Sequence, residues 1–333
     1  MSISVVQLDS YEKVIDLYKI VYPGKDLDKF EWLYTKNPNG IADIFGAVDD
    51  ESGNVVGTYA FIPMKMVIND KIAKVAQAID GMVHPDFRGK RVFNRLVADV
   101  FPKVSDKYEY LIGFPNNNSR GSLVKAGWIE LGEFVTFSLP LTAKAITKSK
   151  AGTLLTPALF LYNSFHRSKY NRPDDSLELN SSDFFSYDNI LTKIHQKNKI
   201  MVYRDSELID WRFCRIPKKN YQLLRFFSNG NEDGYIAYKT NNNSAEIVDL
   251  IINPIDEKIC SALSLFVDYC IKKSYSAIHV QLSNNTYCRE ALKNIGFIKR
   301  KTNHAIIIYP TQGNLQQINF TDCYISLADT DWL

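Results

Sequence analysis

Six positions fix a long internal repeat. Asp80, Val83, Pro85, Leu123, Gly127 and Trp128 are answered by Asp249, Ile252, Pro254, Leu292, Gly296 and Phe297, every pair 169 residues apart. Isolated apolar matches arise by chance, but one spacing held through strand, helix, strand and helix does not. Upstream, Trp32 and Pro38 match Trp211 and Pro217 at a spacing of 179, so the second copy has shed ten residues of strand and turn. A repeat of this size decides the fold, because one supersecondary arrangement must be built twice. The 333 residues agree with this, being too many for one core and suited to two domains of about 150 each.

Within the first copy, residues 5–8 read as a strand. Asp9 with Glu12 three positions later has the form of a capping box for a helix with Val14, Leu17, Tyr18 and Val21 inward. Residues 25–36 read as a second helix, stopped before Asn37-Pro38-Asn39-Gly40. Residues 41–48, 55–68 and 72–83 are strand-like and separated by turn chemistry, which predicts an antiparallel meander. Phe93, Leu96, Val97, Val100 and Phe101 fall at i, i+3, i+4, i+7 and i+8, one face of a helix. A strand over 108–114 and a helix around 119–126, stopped by Gly127, come next. Residues 128–131 and 135–139 read as a closing hairpin.

The order returns after residue 200 and ends in a terminal hairpin through 306–309. The predicted organisation is a domain over 1–140, a connecting segment over 141–198, a second domain over 199–310, and a tail over 311–333 packing on the domains. The fold class is α/β in the mixed α+β sense: a mostly antiparallel sheet flanked by helices, duplicated in tandem.

Forty basic against 37 acidic residues leave a charge of +3, which makes no electrostatic case for nucleic acid, so any anion site must be local. Five cysteines lacking metal spacing (Cys214, Cys260, Cys270, Cys288 and Cys323) read as reduced core thiols, and no metal is expected. The N-terminus has no basic stretch leading into an apolar core, and the longest apolar tract, residues 154–162, is too short to span a bilayer. A cytoplasmic protein without a membrane span is expected.

Residues 81–93 place a strand end, a turn and a helix start in succession. Unpaired N–H groups and the positive end of the helix dipole meet there, which suits a phosphate or pyrophosphate. Gly89 allows close backbone approach, and Arg88, Lys90 and Arg91 add charge. At the matching place the second copy reads Asp256-Glu257-Lys258-Ile259, a poorer anion cradle.

With VHPDFRGK running into an amphipathic helix, then a strand, an Asn and a helix ending in Gly-Trp, the sequence resembles the GNAT superfamily of acyl-CoA-dependent N-acetyltransferases. The likeness covers residues 1–140 well and 200–310 weakly. The family's pyrophosphate motif, (R/Q)-x-x-G-x-(G/A), falls on Arg88 to Phe93, through Gly89, Lys90, Arg91 and Val92. Arg91 and Phe93 stand where small residues are usual. Asn116, eleven residues before Gly127-Trp128, matches a family asparagine near the pantetheine arm.

The resemblance implies acetyl transfer from acetyl-CoA to an amine. Backbone groups near Met82 and Val83 would hold the pantetheine arm and polarise the thioester. Asp80 and His84 are the candidate bases, with Glu133 a third. The family's usual acid, a Tyr four residues before Gly-aromatic, is Leu123 here, so Tyr108 or Tyr110 would serve, or the thiolate would leave unaided. The second domain is expected to be degenerate. The acceptor is expected to be a small soluble amine, and similar bacterial chains point by analogy to an amino-sugar nucleotide of surface polysaccharide synthesis. The alternatives are an aminoacyl-tRNA-dependent aminoacyltransferase and a non-catalytic acyl-CoA-binding or scaffold protein. The oligomeric state is left open.

Overall fold

The computed structural model of the protein describes residues 2–142, 145, 170, 173–179, 188–218, 221–311 and 322–332. The apolar tract at 154–162 lies outside them. The chain forms two compact units whose segments interleave in sequence. The first comprises Met1–Glu130, Arg215–Lys218 and Ile306–Ile318; the second comprises Leu131–Cys214, Lys219–Ala305 and Asn319–Leu333.

In the first unit the expected meander is present as β2 (Asp43–Asp49), β3 (Val55–Ile68) and β4 (Lys71–Val83), with β1 (Ile3–Gln7) antiparallel to β2. Asn69 (φ 49°) and Asp70 (φ 66°) make the tight β3–β4 turn, two positive-φ residues of the kind that match strand twist. The short strand β5 (Tyr110–Gly113) runs parallel to β4 and pairs on its other side with Ile307–Pro310. Helices α1 (Glu12–Val21), α2 (Lys29–Thr35), α3 (Val92–Ser105) and α4 (Asn117–Lys125) complete the unit. The face expected of α3 is the one it buries: Leu96 and Val100 are wholly inaccessible, worth about 1.5–3 kcal/mol each.

The start of α1 departs from expectation. No side-chain cap forms; Asp9 pairs with Lys13 at 3.2 Å, and Ser10 Oγ meets the Glu12 carboxylate and accepts from the Glu12 N–H. The intervening serine thus takes the partner that the capping box required.

In the second unit the strand order is β6 (Ile129–Pro140), β12 (Ala277–Ser283), β11 (Ser244–Ile252), β10 (Asn231–Asn241), β9 (Gln222–Ser228) and β7 (Asp175–Leu179). Among the described residues of that series the β11–β12 pair is parallel and the other pairs are antiparallel. Helices α5 (Asp188–Lys197), α6 (Ser206–Phe213), α7 (Asp256–Lys272) and α8 (Arg289–Ile295) pack with them, and β8 (Ile200–Val202) pairs with β14 (Cys323–Tyr324).

Neither expected hairpin exists. Residues 129–140 form one continuous strand, because Gly132 (φ 153°) bends the chain without reversing it. Its missing side chain admits the Asn284 amide, which a Cβ would approach to 2.5 Å. Residues 298–310 likewise form a single strand, β13 (Ile298–Pro310). The cysteines are all free, but Cys214 is exposed and only the other four are buried.

His195 on α5 stacks on Tyr203 with ring centroids 4.5 Å apart, and its Nε2 accepts from the Arg204 N–H. Burial, with Arg204 adding to it, pushes the imidazole down to about 4. Below its ordinary value near 6.5 the unfolded chain takes up a proton that the folded chain refuses. Stability present above that pH is therefore lost as pH falls toward 4, by at most about 3 kcal/mol. Thermal melts between about pH 7 and pH 4.5 check this, and His195→Gln should flatten the dependence.

Candidate active site

Strands β4 and β5 pair over only three positions, Val75 with Tyr110, Ala76 with Leu111 and Gln77 with Ile112. Beyond that point the β4–β5 register ends while β4 continues to Val83, so the two strands part after Gln77 and Ile112. On its β3 side the register slips between Thr58 and Ala60, leaving Asp80 and Gly81 both opposite Tyr59. This bulge turns Asp80 to a φ of 48°, which is rare outside glycine. Its carbonyl accepts from Thr58 Oγ1 at 3.0 Å, and its carboxylate accepts from the Tyr34 hydroxyl at 2.6 Å. Gly81 is required beside it, because an added Cβ would come within 3.0 Å of the Phe93 ring. That packing explains an aromatic side chain at 93: it covers the glycine and also touches Tyr59.

Past the strand, His84 N–H bonds to Val56, and His84 Nδ1 accepts from Asp86 N–H at 3.3 Å, capping a single 3₁₀ turn over Pro85–Phe87. With Nδ1 accepting, the neutral ring carries its proton on Nε2 and offers a donor there. Arg88 donates Nε to the Val83 carbonyl at 3.4 Å, which aims the guanidinium along the open end of β4. Gly89 (φ 76°) has no atom within 4 Å of where a side chain would lie, so the approach to its backbone is clear.

Arg91 (φ 60°) is the N-cap of α3 and supplies no side-chain bond, and the first turn of this 14-residue helix holds no acidic residue. Its leading N–H groups, which have no intrahelical acceptors, follow directly in the chain on Arg88, Lys90 and Arg91, all exposed. The structure brings Arg88, Gly89, Lys90, Arg91 and the starting amides of Val92 and Phe93 together. Met82 and Val92 bury their side chains in the core and can offer only backbone.

Asn116 is placed differently from the others. Its Oδ1 accepts from Ser119 N–H at 3.1 Å, holding the start of α4. Glu133 lies on β6 in the second unit, where its backbone bonds to Asn284. Neither tyrosine suggested as an acid reaches the open end of β4. Tyr108 donates to Asp43 at 2.6 Å, and burial followed by that bond raises its phenol well above the usual range. Tyr110 sits at the closed end of the pair, opposite Val75. The Tyr34–Asp80 bond was not foreseen, and no local pattern marks it, because the partners are 46 residues apart.

The matching region of the second unit is built from the same parts and closed. Strands β11 and β12 also pair over three positions and part after Ile247 and Val280, beside a bulge in the β10–β11 register. Here the chain's own tail fills the gap. Tyr324 Oη accepts from Leu250 N–H at 2.9 Å and donates within the same cluster, and Ser283 N–H bonds to the Ile325 carbonyl. Asp249 is completely buried. It receives Arg204 Nε at 2.9 Å and Nη2 at 3.1 Å, the Tyr235 hydroxyl at 2.8 Å and the Ser326 hydroxyl at 2.9 Å. Arg204 also holds Asp329 at 2.9 Å. At the start of α7 stand Asp256 and Glu257, which occupy the positive helix end with carboxylates of the chain itself. They line a groove of about 740 Å³ together with Glu290, Asp322, Lys197 and Arg289.

Residues 2–128 match the family model described as an acetyltransferase (GNAT) domain. No curated protein matches the chain. Among solved structures, a conserved protein of unknown function from Enterococcus faecalis V583, a probable N-acyltransferase, aligns at 11% identity and a TM-score of 0.68, over 94% of this chain and 73% of that one. A GCN5-related N-acetyltransferase from Anabaena variabilis ATCC 29413 aligns at 11% identity and 0.65, over 93% and 73%. The N-myristoyltransferase of Saccharomyces cerevisiae, solved with bound myristoyl-CoA, aligns at 10% identity and 0.57, over 93% and 83%.

Proposed function

Given a chain with the fold of the GCN5-related N-acetyltransferases, whose residues 2–128 match their domain, we propose that it transfers an acetyl group from acetyl-CoA to the amine of a small soluble acceptor. One observation carries this reading. The Arg88–Arg91 turn and the uncapped start of α3 lie directly beyond the end of β4, past the point where it parts from β5.

The donor's pyrophosphate is assigned to Arg88, the clear backbone at Gly89, Lys90, Arg91 and the amides of Val92 and Phe93. Phosphate oxygens there meet charge-assisted donors and a helix N-terminus together. The pantetheine arm, an amide chain, is assigned to the backbone of β4 at Met82 and Val83, which pair with Thr58 and Gly57 of β3 and lie past the last residue that pairs with β5. A neutral amine attacks the thioester carbon to form the C–N bond of a tetrahedral intermediate, which collapses as the carbonyl re-forms and the C–S bond breaks. A backbone N–H at the end of β4 stabilises the oxyanion. Asp80 is the proposed acceptor of the amine's proton through water. His84, with Nδ1 engaged and its proton on Nε2, is the weaker base. The thiolate departs without an acid, which a thiol of pKa near about 8.5 permits.

The two units are read as a tandem duplication, supported by a bulge in the neighbouring antiparallel register of each and by a parallel pairing of three positions before each splay. The second is proposed to bind no donor, because Tyr324 already occupies a Leu250 amide in the gap. Glu257→Arg, which restores a cation at the place of Arg88, should leave CoA affinity and stoichiometry unchanged in a calorimetric titration. The absence of a long apolar helix among the described residues is compatible with the cytoplasmic location proposed here. The function is tested by thiol release from acetyl-CoA over a panel of primary amines that includes amino-sugar nucleotides. Amine-dependent release supports the reading, and release with no amine on the panel contradicts it.

A further inference from the structure

We propose that Tyr34 is a positioning residue for the transfer, acting through Asp80; this rests on the acyl transfer proposed above. Asp80 is held where a side-chain-bearing residue is strained, at a φ of 48° inside a bulge, and such a conformation persists only when its surroundings fix it. Two bonds do so here. Thr58, itself completely buried, grips the backbone carbonyl, and Tyr34 grips the carboxylate with a 2.6 Å bond, the length of a hydroxyl on an ionised acceptor.

Tyr34 is a firm anchor. It is 1% exposed, its ring lies 5.5 Å from Phe30 and 6.3 Å from Tyr11, and its carbonyl accepts from Ala42 N–H. Its hydroxyl therefore has little freedom, and neither does the carboxylate it holds. Asp80 itself is only partly buried, at the level of β4 where pairing with β5 has ended. The rest of the molecule supplies a comparison. The spacing of 179 that relates Trp32 to Trp211 carries Tyr34 to Phe213, which has no hydroxyl. In that unit the equivalent carboxylate, Asp249, is instead neutralised by Arg204 and sealed from solvent. The phenol on the helix thus accompanies the unit that has the anion cradle and a partly accessible carboxylate.

A purely structural tie between α2 and β4 would make the same bond, so the test separates the two roles. In the full chain, Tyr34→Phe, Asp80→Asn and the double variant are assayed for acetyl-CoA turnover with saturating primary amine, for CoA affinity by calorimetry and for melting temperature. Tyr34→Phe is expected to lower kcat between about 10- and 100-fold, as a misplaced catalytic group does. CoA affinity and KM for the amine should stay within about twofold. Adding Asp80→Asn to Tyr34→Phe should change kcat little further, because the tyrosine acts through the carboxylate. An unchanged kcat in Tyr34→Phe, or losses that multiply in the double variant, overturns the proposal while the transfer reading stands. A parent chain in which no amine of the panel elicits turnover of acetyl-CoA removes both.

Discussion

Arg88→Glu is expected to abolish measurable affinity for CoA while the melting temperature stays within about a degree of the parent. The side chain is exposed, and among the described residues its bond is to the Val83 carbonyl at 3.4 Å, so the fold loses little. Surface substitutions away from buried features usually change stability by about 0.5 kcal/mol or less. Binding loses much more. Each charge-assisted bond to phosphate is worth about 1.5–3 kcal/mol, and a carboxylate placed beside Lys90, Arg91 and the start of α3 repels the ligand besides. A loss beyond about 100-fold is expected by calorimetry, and unchanged binding would move the donor elsewhere.

The second large effect concerns stability. Asp249→Ala should destabilise the second unit by about 3–5 kcal/mol, because it leaves Arg204 buried with one of its two carboxylate partners gone. For a unit of this size the melting temperature should fall by roughly 10 °C. Replacing Arg204 and Asp249 together by leucines should be less harmful than the sum of the single changes, since their mutual pairing is then lost only once, although Asp329 still loses its guanidinium partner. Melting curves of the three variants check this. The same network gives Asp249, which stands 169 residues after Asp80, a structural role of its own. Asp249 anchors the tail, so its presence in the closed unit is no argument that Asp80 is structural.

What was legible in the sequence was whatever short-range chemistry decides. The face of α3 follows from apolar spacing alone, and Gly127 ends α4 at a φ of 97° with Trp128 N–H bonded to Leu123, as a glycine stop should. The β3–β4 turn needs only Asn69 and Asp70. The contrast between Arg88-Gly89 and Glu257-Lys258 is visible by shifting the sequence upon itself.

What was hidden depends on residues far apart in the chain. Arg204 gave no signal, since its partners Asp249 and Asp329 lie 45 and 125 positions away. Gly132 reads as a turn until Asn284 is seen to fill the space it leaves. Asp9 and Glu12 match a capping box, but Ser10 between them competes for the same carboxylate. Tyr34 meets Asp80 only inside a bulge that strand pairing creates, so nothing near it in the sequence marks the bond.

The central claim is one acyl-CoA site per chain, placed on the first unit. Calorimetric titration of the full chain with acetyl-CoA tests it most directly. The account predicts one equivalent bound, with the same stoichiometry in Glu257→Arg and no detectable heat in Arg88→Glu. Two equivalents per chain, or one equivalent that survives Arg88→Glu, would contradict it.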